Sequence, residues 1–119
     1  MIPLHQLTPE QVVQKNVESY NARDIRRFME TFSPDISLYS FPEAEPMLEG
    51  LNAIENFYRK LFDASPNLHS TVLKRIAFNN KIIDHESIAG RLGSANVIEI
   101  VVIYEILDGK IFRLTAIRN

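Results

Sequence analysis

Cysteine is absent from this chain of 119 residues. That removes disulfides, a thiolate nucleophile and any zinc site of the cysteine type. A basic excess is missing too: 13 Lys and Arg stand against 15 Asp and Glu, for a net charge of −2. The basic residues form no stripe, so nucleic acid is not an expected partner. No long hydrophobic run occurs. The greasiest stretch, "VIEIVVIYEIL", has 11 residues and carries Glu99 and Glu105, whereas a membrane span needs ~20 apolar residues. The start, "MIPLHQLTPE", has no basic segment leading into an apolar run, so no signal peptide is expected and the cytoplasm is the default location. Neither repeats nor low-complexity linkers interrupt the chain. His5 and His69 lack a partner pattern, and no set of His and carboxylates has a recognised ligand spacing, so neither a metal nor a cofactor is implied.

What is present suits one globular domain with a real core: 45% of residues are apolar and 24% charged. "LTPEQV" is a helix start, with Thr8 as N-cap, Pro9 in the first turn, Gln11 completing a capping box, and Leu7 and Val12 spaced as a staple. Val13, Val17 and Tyr20 extend its buried face to about residue 21. Asp24 caps a second short helix with Ile25, Phe28, Met29 and Phe32 on one side, stopped at Pro34. "ISLYSF" alternates as a strand, and "PEAEPMLEG" reads as a loop. Leu51, Ile54, Phe57, Tyr58 and Leu61 predict a third helix. Four strands follow, "LHSTVLKRIAF", "KIIDHESIA", "NVIEIVVIYEIL" and "KIFRLTAIR", the last two joined by a two-residue Asp108-Gly109 hairpin turn. The fold class is α+β, with a curved and mostly antiparallel sheet over three helices.

The order and spacing of "YNARDIRRFMETFSPDISLY", "EGLNAIENFYRKL" and "YEILDGKIFRL" resemble the nuclear transport factor 2-like superfamily. Its members include SnoaL-like polyketide cyclases, ketosteroid isomerases, scytalone dehydratases and limonene epoxide hydrolases. The resemblance covers nearly the whole chain. It implies a cone-shaped, cystatin-like half-barrel around one apolar cavity for a small, partly hydrophobic ligand, often in a homodimer. It implies no reaction, because the fold hosts many. The isomerase's donor tyrosine falls on Asn16, its base aspartate on Ser40 and its protonated aspartate on Val101. A serine hydroxyl cannot replace a carboxylate base at carbon. Tyr58 matches a cavity tyrosine of the isomerases, and Tyr20 lies one helical turn beyond Asn16. With Phe57 and Leu114 these residues make the expected lining.

The Asp-Gly turn, taken without a bulge, sets Leu107 opposite Lys110, Glu105 opposite Phe112, Ile103 opposite Leu114, Val101 opposite Ala116 and Glu99 opposite Arg118. The resemblance turns Glu99, Val101 and Ile103 toward the cavity. A turn near Leu92 to Ala95 brings Asp84 and Glu86 to the same face and sends His85 the other way. The expected catalytic group is then Glu86–Arg118–Glu99, with Tyr58 as donor and Tyr20 beside it. An arginine holds one carboxylate ionised while burial raises the pKa of the other, separating an acid from a base. Limonene epoxide hydrolases are similar in kind, with an arginine between two acids at other positions. The plainer reading stands beside this one: strand-borne Glu, Asp and Arg are commonly solvated pairs contributing less than ~1 kcal/mol, and the tyrosines are core.

Ile98, Ile100, Val102, Tyr104 and Ile106 form an apolar opposite face, on which a second subunit of a homodimer is expected. Two function classes stay open. One is a cofactor-independent isomerase, cyclase, dehydratase or hydrolase; the other is a non-catalytic ligand-binding or dimerising module. A cavity below ~300 Å³, or Glu99 pointing to solvent, argues against an enzyme.

Overall fold

A strand turns successive side chains to opposite faces, and a helix repeats a face every three to four residues. Those two periods decide what this chain buries. The structure, a computed structural model, describes residues 7–119; the expectations for the first six residues, including His5 and the start of the chain, lie outside the described residues.

Helix α1 (Pro9–Ala22) starts as its sequence dictates. The Thr8 hydroxyl accepts from the Gln11 backbone N–H, and the Gln11 side chain accepts from the Thr8 N–H. A cap of this kind contributes about 1 kcal/mol. Helix α2 (Ile25–Met29) is capped by Asp24, whose carboxylate accepts from the Arg27 N–H at 3.1 Å. It ends earlier than the expected stop at Pro34, because Phe32 pairs with Ile111 and opens strand β1 (Phe32–Ser40). A two-residue strand β2 (Leu48–Glu49) leads into α3 (Gly50–Asp63), which turns Ile54, Leu61 and Phe62 to the core.

Strands β3 (His69–Phe78), β4 (Lys81–Ala89), β5 (Ile98–Leu107) and β6 (Lys110–Arg118) follow as a meander. The six strands form one open sheet in the order β2-β1-β6-β5-β4-β3. Every neighbour is antiparallel except β1 and β6, which run parallel. All three helices cover the same face, so the sheet curves around them as a half-barrel. Val12, Val13, Phe28, Ile36, Ile54 and Ile111 fill the space between and are almost fully buried. Among the described residues no helix is long and apolar enough to cross a membrane.

The hairpin begins as expected. Asp108 and Gly109 take positive φ of 51° and 75°, and Leu107 pairs with Lys110. Beyond that the register departs. Ile106 pairs with Ile111 but Glu105 pairs with Arg113, so Phe112 is an extra residue in a β-bulge. Ile103 therefore faces Thr115, Val101 faces Ile117, and Arg118 pairs with Ile100 instead of Glu99. The reason lies in the core. Ile111, Leu114 and Ala116 are all buried, and a strict alternation cannot turn both Ile111 and Leu114 inward.

The faces of β5 are the reverse of expectation. Val102, Tyr104 and Ile106 are buried against the helices, and Ile98 and Ile100 pack on the same core. This row is inside, so it is not the face a second subunit could cover. Glu99, Val101 and Ile103 look outward. One row is apolar apart from a single phenol while the other carries Glu99 and Glu105, and burial selects the row with fewer charges to desolvate.

Candidate functional site

Strand β4 turns Ile82, Asp84, Glu86 and Ile88 inward and His85 outward. Asp84 is 0% exposed. Its carboxylate accepts two bonds from Arg75, at 2.7 Å from Nε and 2.8 Å from Nη2, and Arg75 also donates to Gln14 at 2.9 Å. A bidentate pair of this geometry sets a guanidinium against the buried carboxylate, as a structural ion pair does. Glu86, two residues on, is 4% exposed. It accepts from Ser70 Oγ at 2.9 Å and from the Tyr104 hydroxyl at 3.0 Å, and it has no ion-pair partner among the described residues. Burial pushes the Glu86 carboxyl above its ordinary range, while the Ser70 and Tyr104 donors pull against that shift. Neither acid is a solvated surface group.

The donors are held in turn. Asn21, at the end of α1, clamps the Ser70 backbone on both sides, accepting from its N–H at 2.7 Å and donating to its carbonyl at 2.9 Å. Tyr104 is buried beside the Glu86 carboxylate, and both causes keep its phenol protonated and donating.

The helices supply the facing wall. Tyr20 comes from α1, and Phe57 and Tyr58 from α3, with the Tyr20 and Tyr58 rings 6.4 Å apart and Tyr58 packed 4.7 Å from Phe28. Burial pushes the Tyr58 hydroxyl up to about 12, against the positive fields of Arg118 and Arg91. Tyr20 is raised further, first by burial and then by Tyr58.

A third wall is the short turn from Gly90 to Gly93. Gly90 sits at φ 76°, and a Cβ there would lie 2.2 Å from the Asn67 carbonyl oxygen, so only glycine fits. Two residues on, Leu92 donates its N–H to Ser65 Oγ at 2.8 Å. Between them Arg91 reaches into the interior, where its Nε is buried without a hydrogen-bond partner. An unsatisfied buried donor costs about 1–3 kcal/mol. Arg118, at the end of β6, lines the same space.

These walls enclose a cavity of about 60 Å³, room for a few water molecules. Seven of the residues expected at the site line it: Glu86, Tyr58, Arg118, Tyr20, Asn16, Phe57 and Leu114. Asn16 donates its amide to Thr31 at 2.9 Å. Three do not line it. Ser40 ends β1 opposite Ala116, while Glu99 and Val101 face outward. The Glu99 side chain is 58% exposed and meets His85 at 2.7 Å. The Glu86–Arg118–Glu99 group is therefore not formed. Glu86 and Arg118 share a row across the sheet with Ile100 between them, which separates their backbones by ~10 Å. Ser70, Tyr104 and Arg91 were not expected at the site. Tyr104 could have been found as the one polar group in an apolar row; nothing in "GRLG" says which way its arginine points.

The architecture recurs among solved structures. An uncharacterised cystatin-fold protein from Novosphingobium aromaticivorans matches with a TM-score of 0.85 at 16% identity, over 94% of this chain and 99% of that one. An LEH-like epoxide hydrolase of M. tuberculosis gives 0.81 at 11% identity, over 93% and 82% of the two chains. A candidate ketosteroid isomerase from Kribbella flavida gives 0.80 at 16%, over 93% and 77%. At these identities the likeness is one of fold: a cystatin-like, nuclear transport factor 2-like half-barrel. The sequence narrows this. Residues 13–114 match the family model of the SnoaL-like domain, and the chain belongs to that family. No curated protein matches it in sequence.

Proposed function

We propose that this chain is a small-molecule-binding SnoaL-like domain whose partly hydrophobic ligand sits in the inner cavity, over Glu86. The observation that carries the reading is Glu86 itself, a buried carboxyl held by two hydroxyl donors and without an ion-pair partner among the described residues. Such a group lowers stability relative to an aliphatic side chain, and groups kept at that cost cluster at working sites. Met47, 45% exposed, and the exposed Arg118 lie at the rim, so entry is from their side.

Binding without turnover is the favoured class. The cavity of about 60 Å³ falls far below the ~300 Å³ at which ligand pockets begin, so the rim must yield to admit a ligand, and Glu99 is open to solvent. A second reading has its own support. The raised pKa of Glu86 brings it toward the range of a general acid or base, which suits a cofactor-independent isomerase, cyclase, dehydratase or hydrolase.

Methyl NMR tests the first reading. Titration with small alicyclic and aromatic molecules should shift the methyls of Ile98, Ile100, Val102 and Leu114 before those of the outward Ile83 and Ile103. Shifts confined to the outer face, or none at all, overturn it. Turnover of a bound molecule that is lost in Glu86→Gln would establish the second.

We also infer that a second copy of the chain packs on the outer face of the sheet. Ile76, half exposed at 50%, lines up with Ile83 and Ile103 across three strands, with Val101 and Ile117 alongside.

A further inference from the structure

The inner cavity is lined by two guanidiniums, Arg91 and Arg118, and by one carboxylate, Glu86. Neither arginine takes part in an ion pair among the described residues. Asp84 is held by Arg75 and Glu105 by Arg113. Glu86 is engaged by Ser70 and Tyr104 instead, and its burial favours the neutral form. A guanidinium does not release its proton, so two permanent positive charges, Arg91 within and Arg118 at the rim, line this space against one carboxyl.

Arg91 is the sharper of the two observations. Its Nε–H is buried without an acceptor, in a protein whose other buried side-chain polar atoms all have partners among the described residues. The backbone on either side of it is anchored, since Gly90 leaves no room for a side chain beside the Asn67 carbonyl and the Leu92 N–H is tied to Ser65. The turn thus starts the Arg91 side chain from a defined place on the cavity wall. From the opposite wall the Tyr20 and Tyr58 phenols, kept protonated by burial, lie within the fields of both arginines. An anion entering this space meets an unpartnered buried donor, two phenols and positive charge.

We propose that the ligand of this cavity is a small organic monoanion of the carboxylate type. Two adjacent oxygens match the guanidinium fork, which binds carboxylates through parallel N–H···O bonds. They would sit on Arg91 and Arg118, and the apolar body of the molecule would lie over Ile98, Ile100 and Val102. The proposal rests on the ligand-binding reading above and adds a charge and a seat to it.

The probes are benzoate and benzamide, nearly equal in shape and different in charge, titrated at pH 7 into the whole chain and followed on the inward methyls. The unmodified chain should bind benzoate roughly tenfold or more tightly than benzamide, as a charge-assisted bond implies. Arg91→Met should remove most of that preference by weakening benzoate far more than benzamide, whose neutral carbonyl makes the weaker bond to a guanidinium, and Arg118→Met should lower it by a smaller factor because Arg118 is exposed. The melting temperature of Arg91→Met should not fall, since an unpartnered buried donor has been removed; that result separates lost binding from lost folding. Equal affinity for the two probes overturns the anion and leaves the cavity as a ligand site. Benzoate preference that survives both substitutions overturns the seat. Failure of both probes to shift any inward methyl overturns the proposal together with the reading on which it rests.

Discussion

Asp84 and Glu86 lie two residues apart on the inner face of β4, and only the first has a guanidinium on it. Arg75→Ala would leave the Asp84 carboxylate buried and unpaired, which should lower unfolding free energy by about 3–5 kcal/mol in a denaturant titration. The double change Arg75→Met with Asp84→Leu should recover most of that loss, because it removes the buried charges together. For Glu86 the signature is in pH. Its folded pKa is raised, so the folded chain takes up the proton more readily than the unfolded one. Its contribution to stability is full below the ordinary glutamate value of 4.5 and is lost as pH rises through the folded value. Glu86→Gln does not titrate. The stability of Glu86→Gln relative to the unmodified chain should therefore grow with pH above that point and then level off. A difference that stays flat from acid to neutral pH would contradict the assignment. That His85 turns away from these two acids was readable from strand alternation alone; that Arg75 takes Asp84 was not, since it depends on how β3 pairs with β4 across its own irregularity after Val72.

At the scale of elements, what the chain states locally comes through. The Thr8 and Asp24 caps, the amphipathic face of α3 and the Asp-Gly turn each depend on residues within a few positions, and each forms. Pairings farther from a turn do not carry that guarantee. The register past Glu105 answers to whether Ile111 and Leu114 can both reach the core, a question about packing that no turn residue decides. The facing of β5 was present in the sequence as the two glutamates of the odd row, against the inward facing of Val101 that the resemblance to the isomerases implies. The Gly90 turn gives the element-level prediction. Gly90→Ala combines a positive φ with an overlap against backbone and should cost about 1–3 kcal/mol, read as a lowered denaturation midpoint with an unchanged m-value.

At the scale of the molecule, the periodicities fix the half-barrel, and the cavity is what remains between three helices and a curved sheet. Its volume is a difference between two large packed surfaces, so no pattern in the chain announces it. The outer face is easier to judge. Size-exclusion with light scattering at micromolar concentration should give a dimer, and Ile83→Lys, at the centre of the outward isoleucine row, should give a folded monomer. A monomer for the unmodified chain would sink the proposed pairing. The extra residue Phe112 bears on how a chain of this kind can change length. Losing it would leave a regular hairpin with Ile111, Leu114, Ala116 and Arg118 still inward. Losing Thr115 instead would turn Arg118 out and Ile117 in, because the side-chain period is two. Loss of the bulge residue is thus silent for the interior, whereas a loss a few residues later removes one of its two guanidiniums, so distant relatives should vary in length at the first place and hold it at the second.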